Sequence, residues 1–271
     1  MLSRRKFLLG CAGALGLAVY GRFVEPSWFE VVTRRVKFFP GADGQPLRVL
    51  VLADLHYSSC VPLTVIARAV ALGLAQQPDL ILLAGDHVLF DTKLDDAAFT
   101  RTLAPLAGRA LTFACFGNHD RAVGTLKNTR VRAMLEAAGA RVLHNEARRV
   151  SVSGRELLLV GLGDLWNRQC LPGRAFPADD EGLPRLVLAH NPDSKTLLKN
   201  FRWELMVSGH THGGQLRLPL IGAPFAPVKD KRYVAGLNAW DGRLIYTSRG
   251  VGNLHGVRFN CRPEVTLLEL S

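Results

Sequence analysis

Five short apolar runs in this chain end in residues that bind metal ions or move protons. Asp54 and His56 follow LRVLVLA, and Gly85-Asp86 follows DLILLA. Gly117-Asn118-His119-Asp120 follows LTFACF, His190 follows RLVLA, and Gly209-His210-Thr211-His212-Gly213-Gly214 follows LMVS. Carboxylate oxygen, imidazole nitrogen and amide oxygen together suit borderline divalent ions, and Mn, Fe, Co, Ni and Zn all remain open. Asp54, His56, Asp86, Asn118, His190, His210 and His212 are more donors than one tetrahedral structural zinc can use. They suit a pair of ions roughly 3.5–4 Å apart that share one carboxylate, a pair able to activate a common hydroxide and neutralise a phosphoryl group.

The elements that must position these residues are legible around them. LRVLVLA, DLILLA, LTFACF, RLVLA and LMVS read as buried strands. Ligand sites in α/β sheets lie beyond the carboxyl ends of strands, so the five sets can converge. In extended backbone residues i and i+2 face one side, which predicts Asp54 with His56, and His210 with His212, on common faces. Gly85, Gly117 and Gly209 each precede a candidate ligand, where a missing Cβ permits a tight turn and close backbone approach. Helices are expected at 62–77, at 94–106 with an interruption near Pro105, and at 126–138 with Gly139 as its stop. Further strands are expected at 30–39, 156–160, 244–247 and 265–270, and a short helix from Asn191 to about Lys199. Between Leu216 and Ala235 the chain reads as an aperiodic loop. Strands alternate with helices in the first half and dominate the second, which predicts helices outside packed sheets.

The ordered series D-x-H, G-D, G-N-H-D, H and G-H-x-H resembles that of the calcineurin-like metallophosphoesterases, and within them a group of bacterial phosphodiesterases. LADLHYS, PDLILLAGD, FACFGNHD, LAHNPD and SGHTHGGQLRLP carry the resemblance, with the closing Cys261 to Val265. It implies an α/β fold, a four-layer α/β/β/α sandwich, and a metal-dependent phosphodiesterase or phosphohydrolase with a dinuclear centre and a bridging hydroxide. It implies that Asp54, His56, Asp86 and His212 hold one ion, and that Asp86, Asn118, His190 and His210 hold the other, with Asp86 the bridge. His119 becomes the general acid toward the leaving oxygen, a role that imidazole chemistry allows near neutral pH. Asp91 or Asp120 would orient it. His87 stands where the family often has an aliphatic or aromatic residue, and is expected to point away. Related membrane-associated enzymes cleave the pyrophosphate of UDP-2,3-diacylglucosamine in lipid A biosynthesis, which makes that the alternative activity. A non-catalytic metal-binding scaffold of the same fold is a remote one.

Other residues admit two readings. Asp164 either borders the site or caps the next segment. Arg258, with Gly250-Val251-Gly252, forms either a rim that touches phosphate or a tight turn beside a solvated arginine. His144 and His255 read as ordinary core histidines.

The 271 residues suffice for one sizeable core, and 48% hydrophobic with 21% charged content is a globular composition. The formal charge of +11 suits an anionic partner, here a phosphoester substrate that can be lipid-linked. No basic, aromatic-interleaved binding module is present, so no nucleic acid is expected. Cys11, Cys60, Cys115, Cys170 and Cys261 include no CxxC pair and form no zinc ribbon or disulfide framework. At the start, Ser3-Arg4-Arg5-Lys6-Phe7-Leu8 precedes an uncharged stretch to Gly21 and resembles a twin-arginine export signal. Leu8-Leu9-Gly10-Cys11 lacks the apolar segment that precedes a lipoprotein box. The uncharged stretch is shorter than a standard span and no clean A-x-A site follows it, so retention as a membrane anchor is the other reading. The expected organisation is a signal or anchor over 1–24 and one metallophosphoesterase domain over 30–271. The expected location is periplasmic or on the inner membrane, through the twin-arginine export machinery, with the cytoplasmic face as alternative.

Overall fold

The computed structural model of the chain describes residues 3–41, 44–89, 94–120, 127–178 and 182–271. Twelve strands among them form two six-stranded sheets. The first has the order β1 (Glu30–Val36), β12 (Glu264–Leu270), β2 (Leu47–Leu52), β3 (Leu80–Ala84), β4 (Leu111–Cys115), β5 (Arg141–Val142). The second has the order β10 (Gly236–Trp240), β11 (Arg243–Thr247), β9 (Leu205–Ser208), β8 (Arg185–Leu188), β7 (Arg155–Gly161), β6 (Glu146–Val152). The runs β2-β3-β4-β5 and β7-β8-β9-β11 are parallel, so their carboxyl ends gather on one side of each sheet.

The central strands are apolar at most positions, and β3 (LILLA) at all of them, because both of their faces are covered. In β2, Val49 and Val51 turn toward the second sheet, where they meet Leu186, Leu188, Leu205 and Val207. Leu50 and Leu52 alternate with them and pack under helices α2 (Leu63–Leu74), α3 (Asp96–Arg109) and α4 (Lys127–Ala137), against Ile66, Phe99 and Leu135. The far face of the second sheet carries Val187 and Met206 under Trp203, Leu198 and Tyr233. That fourth layer is thin, made of short helical turns at Pro172–Ala175 (α5), Pro192–Leu198 and Lys231–Tyr233. The architecture is α/β/β/α.

Several elements differ from the sequence expectation. Helix α3 runs through Pro105 to Arg109, with Asp95 capping its N-terminus by accepting from the Ala98 N–H. Edge strands β6 and β10 were not expected. The first strand stops at Val36, although the Phe38 and Phe39 N–H groups still donate to Ser271. The apolar stretch at the start is longer than its uncharged part. Helix α1 (Arg4–Val19) continues through a widened turn at Tyr20–Val24 and one last turn to Ser27. Residues Arg4–Ser27 together are long and apolar enough to cross a membrane, by length and composition. The base of this helix docks on the sandwich. The Gly21 carbonyl accepts from the Arg258 N–H at 2.9 Å, and the buried Glu25 carboxylate accepts from the N–H groups of Asn260 and Cys261.

Candidate metal centre

The turns after β2, β3, β4, β8 and β9 meet at one end of the sandwich, and backbone bonds between them fix the meeting. Asp54 N–H donates to Gly85 O at 3.0 Å, and Gly209 N–H donates to His190 O at 2.9 Å. His190 Nδ1 lies 2.9 Å from Ala84 O, which turns its Nε2 toward the centre. A Cβ on Gly209 or Gly117 would collide with the carboxylates of Asp54 and Asp86 respectively. Those two glycines are therefore required for close approach. Gly85 is required also for its left-handed backbone, with φ of 82°.

The donors form two clusters. Asp54, His56 and His212 have ligand atoms within 4.8 Å of one another, and so do Asp86, His190 and His210. In the first, His56 Nε2 and His212 Nε2 are 3.1 Å apart, and Asp54 Oδ1 is 3.9 Å and 3.7 Å from them. In the second, His190 Nε2 is 3.1 Å from Asp86 Oδ2, 3.2 Å from His210 Nδ1 and 3.2 Å from Asn118 Oδ1. Asp86 Oδ2 also lies 3.5 Å from His56 Nε2, so one carboxylate oxygen faces both clusters. The other oxygen, Oδ1, accepts the His119 N–H at 2.8 Å, which fixes the carboxylate plane.

His210 and His212 therefore do not share a face, as alternation in an extended chain predicted. Asp54, His56, Asp86, His210 and His212 all have left-handed backbone, with φ from 48° to 70°. Non-glycine residues adopt this region at a cost, and its concentration on five of the seven candidate ligands marks a site held in shape by its surroundings. The tight turns send His210 to one cluster and His212, two residues on, to the other.

Three of the four clustered imidazoles suit cations as they stand. Burial drives His56 and His210 each down to about 3 and takes His212 well below the usual imidazole range, leaving neutral nitrogen donors at neutral pH. Burial also pushes Asp54 up to about 7, against the pull of His190. Burial would raise Asp86 as well, but His190 beside it outweighs this and holds Asp86 well below the usual carboxylate range. The same pair pushes His190, against its own burial, up to about 10. Facing imidazole nitrogens at 3.1 Å and 3.2 Å, beside carboxylate and amide oxygens, converge as lone-pair donors do around a cation. The residues present fit two divalent ions.

Asp120 is buried, but its carboxylate does not serve the His119 ring. It accepts the N–H groups of Asp86 (3.0 Å), His87 (2.7 Å) and Gly117 (2.8 Å), pinning the turn after β3 to the turn after β4. Asp91 lies outside the described residues. His87 is fully buried, and neither ring nitrogen has a hydrogen-bond partner among the described residues. Arg258 is neither a rim residue nor a solvated one. It is fully buried, and its guanidinium donates to the carbonyls of Arg249, Gly250, Gly252 and Cys261, bracing the loop that passes Asp54. Asp164 caps the turn after β7 by accepting from Trp166 and Asn167.

A cleft of about 300 Å³ opens from Asp86, Asn118, His119 and His210 to the surface. His119 is half-buried at its floor, with its ring edge-on to His56 at 5.1 Å. The walls include residues whose sequence neighbourhood gave no signal. Trp166 meets His210 edge-on at 4.3 Å, and Leu216, Phe225 and Leu254 supply an apolar side. His255, expected in a core, is instead exposed at the mouth. Asn167 Nδ2 donates to the Asn118 carbonyl at 3.2 Å, which ties the Trp166 turn to the metal side of the cleft.

Residues 47–214 match the calcineurin-like phosphoesterase family. The chain belongs to that family. It is 56% identical over the full length of both chains to Phosphodiesterase YaeI of Escherichia coli K12. It is 29% identical to the uncharacterized metallophosphoesterase YkuE of Bacillus subtilis, covering 99% of this chain and 98% of that one. It is 26% identical, over 92% of each chain, to the UDP-2,3-diacylglucosamine pyrophosphatase LpxG of Chlamydia muridarum. The chain is thus a phosphoester hydrolase with residues for a dinuclear divalent metal site.

Proposed function

We propose that the chain hydrolyses phosphodiesters at the cleft floor, with Asp54, His56, Asp86 and His212 holding one divalent ion and Asp86, Asn118, His190 and His210 the other. The observation that carries this reading is Asp86 Oδ2, which lies 3.1 Å from a donor of one cluster and 3.5 Å from a donor of the other. When bound, the two ions supply positive charge for the phosphoryl oxygens and a nucleophile from water at neutral pH. The protein's own groups do the rest. Asp120 and the His119 N–H hold Asp86 so that one oxygen can serve both clusters. His119, on the open side of the centre, delivers a proton to the leaving oxygen. Trp166, Leu216 and Phe225 wall the cleft beside the reacting phosphate.

Asp86→Ala should abolish metal-dependent hydrolysis of a bis-aryl phosphodiester and lower the bound metal below two ions per chain. Retained turnover in that variant would refute the assignment. His119→Asn should spare a p-nitrophenyl leaving group far more than an alkyl one, since only the poor leaving group needs the proton. Equal losses on both would remove His119 as the acid.

The finer reading places residues 1–24 as a membrane anchor or export signal of twin-arginine type ahead of a single domain over 30–271, with the cleft serving a lipid-linked phosphoester. The apolar cleft wall and the exposed apolar helix support it. The same two features favour, as second reading, pyrophosphate cleavage in UDP-2,3-diacylglucosamine. Side-by-side turnover of a phosphomonoester, a phosphodiester and that nucleotide lipid, by protein loaded with each metal in turn, separates these.

A further inference from the structure

The segment from Leu216 to Phe225 reads LRLPLIGAPF, with Arg217 as its one charged residue. It is a built turn. Leu218 and Gly222 exchange N–H to carbonyl bonds at 2.7 Å and 2.9 Å, which closes the chain around Pro219, Leu220 and Ile221. The tip presents Leu220 fully exposed, Ile221 68% exposed and, at the end of the segment, Phe225 72% exposed. Leu220 also sits in left-handed backbone at φ 66°, where a leucine is strained. A strained backbone that holds its largest apolar side chains in water lacks an explanation in the isolated chain.

Its position supplies one. Leu216 pairs with Phe259, and Arg217 N–H donates to the Phe259 carbonyl at 2.8 Å. The Phe259 ring packs edge-on against Tyr20 at 6.4 Å, and its neighbour Arg258 bonds to Gly21. The turn therefore springs from the same junction that roots the apolar N-terminal helix. From Leu216 to Lys229 there is no acidic residue, Arg217 and Lys229 are exposed, and the exposed Lys231 donates to the Pro224 and Ala226 carbonyls at the end of the segment, while the intervening Asp230 is paired with Arg232. An apolar tip flanked by basic side chains is the chemistry of an interfacial membrane contact with anionic headgroups.

We propose that Leu218–Phe225 is a second membrane contact, inserted in the anionic bilayer surface that holds the N-terminal helix, and that it sets the mouth of the metal cleft at the headgroup plane. Phe225 belongs both to this lip and to the cleft wall beside His119, and Leu216, two residues before the lip, lines the same wall. A phosphoester carried on an amphiphile then reaches the cleft without leaving the surface, a consequence that rests on the phosphodiesterase reading; the contact itself does not.

The test uses full-length protein reconstituted in phosphatidylethanolamine vesicles with a minority of phosphatidylglycerol. A fluorophore is placed at Leu220→Cys in a Cys11→Ser, Cys60→Ser background, with Ser153→Cys, on the exposed β6–β7 turn, as the control. Doxyl-labelled lipid should quench the probe at position 220 at least severalfold more than the probe at 153, and aqueous iodide should do the reverse. Equal iodide access at both positions overturns the proposal. Shielding at 220 that depends on protein concentration and not on doxyl lipid also overturns it, in favour of a contact between copies. Hydrolysis of a soluble aryl phosphodiester is measured on the same samples. Quenching without turnover sinks the catalytic reading alone, and turnover without quenching sinks the membrane lip alone.

Discussion

Asp120→Asn changes a single atom type and tests how the centre is held. In the structure Asp120 Oδ2 accepts from Asp86 N–H at 3.0 Å and Gly117 N–H at 2.8 Å, while Oδ1 accepts from His87 N–H at 2.7 Å. An asparagine must turn its NH2 group toward one of these two sets, so at least one buried N–H faces another donor. An unsatisfied buried donor costs about 1–3 kcal/mol, and the bonds that survive lose their charge assistance, so the variant should be about 2–4 kcal/mol less stable. The cheaper flip keeps the oxygen on Asp86 and Gly117 and frees the His87 N–H, next in the chain to Asp86, so the bridging carboxylate shifts, and a misplacement on the order of 1 Å costs about a hundredfold in rate. Urea unfolding, metal content and kcat for an aryl phosphodiester should therefore fall together. The pH dependence of kcat should keep its shape, because Asp120 does not touch the His119 ring. Wild-type stability with a displaced acid limb would refute this reasoning and return Asp120 to the role of orienting His119.

Gly209→Ala places a Cβ against the Asp54 carboxylate and 2.7 Å from the Ala53 Cβ; it should empty the first cluster while leaving the sheets folded, seen as loss of about half the bound metal with unchanged circular dichroism. Metal loading should weaken as pH falls. His190 is pushed up to about 10 by Asp86, so at neutral pH it carries a proton that a cation must displace from Nε2. Loading at pH 7 should release protons, detectable as a dependence of the calorimetric heat on buffer ionisation enthalpy, and affinity should drop by up to about tenfold per pH unit for each proton displaced. Absence of proton release would show that His190 enters the centre already neutral.

Much of the centre is legible in the chain because apolar strands that end in Gly, Asp, Asn or His leave few alternatives. The buried strands, the helices over them and the meeting of the seven candidate donors all follow from that pattern. The backbone of the ligand turns does not. Alternation from an extended strand put His210 and His212 on one face, whereas left-handed turns, stabilised by contacts from remote segments, divide them. Edge strand β6 (EARRVSV) hides because only Val150 is buried in it, so its charged residues read as loop. Pro105 suggested a break in α3, but its fixed φ is a helical value, and burial of Phe99, Leu103 and Leu106 holds the helix together around it. Trp166, and the turn-pinning role of Asp120, escaped because the partners, His210 and the Asp86 turn, are distant in sequence, and no local periodicity reports such contacts.

The two clusters draw on both sheets. Asp54, His56, Asp86 and Asn118 come from turns of the first, and His190, His210 and His212 from turns of the second; His56 and His212, 156 residues apart, belong to one cluster. A bound pair of ions is thus a clasp across the open edge of the sandwich, closing loops of chain as a cross-link does. The free energy of metal binding is at the same time free energy of sheet-to-sheet association. Chelation would loosen the sandwich from that edge inward, because bound metal adds to the apolar contacts that already join the two sheets.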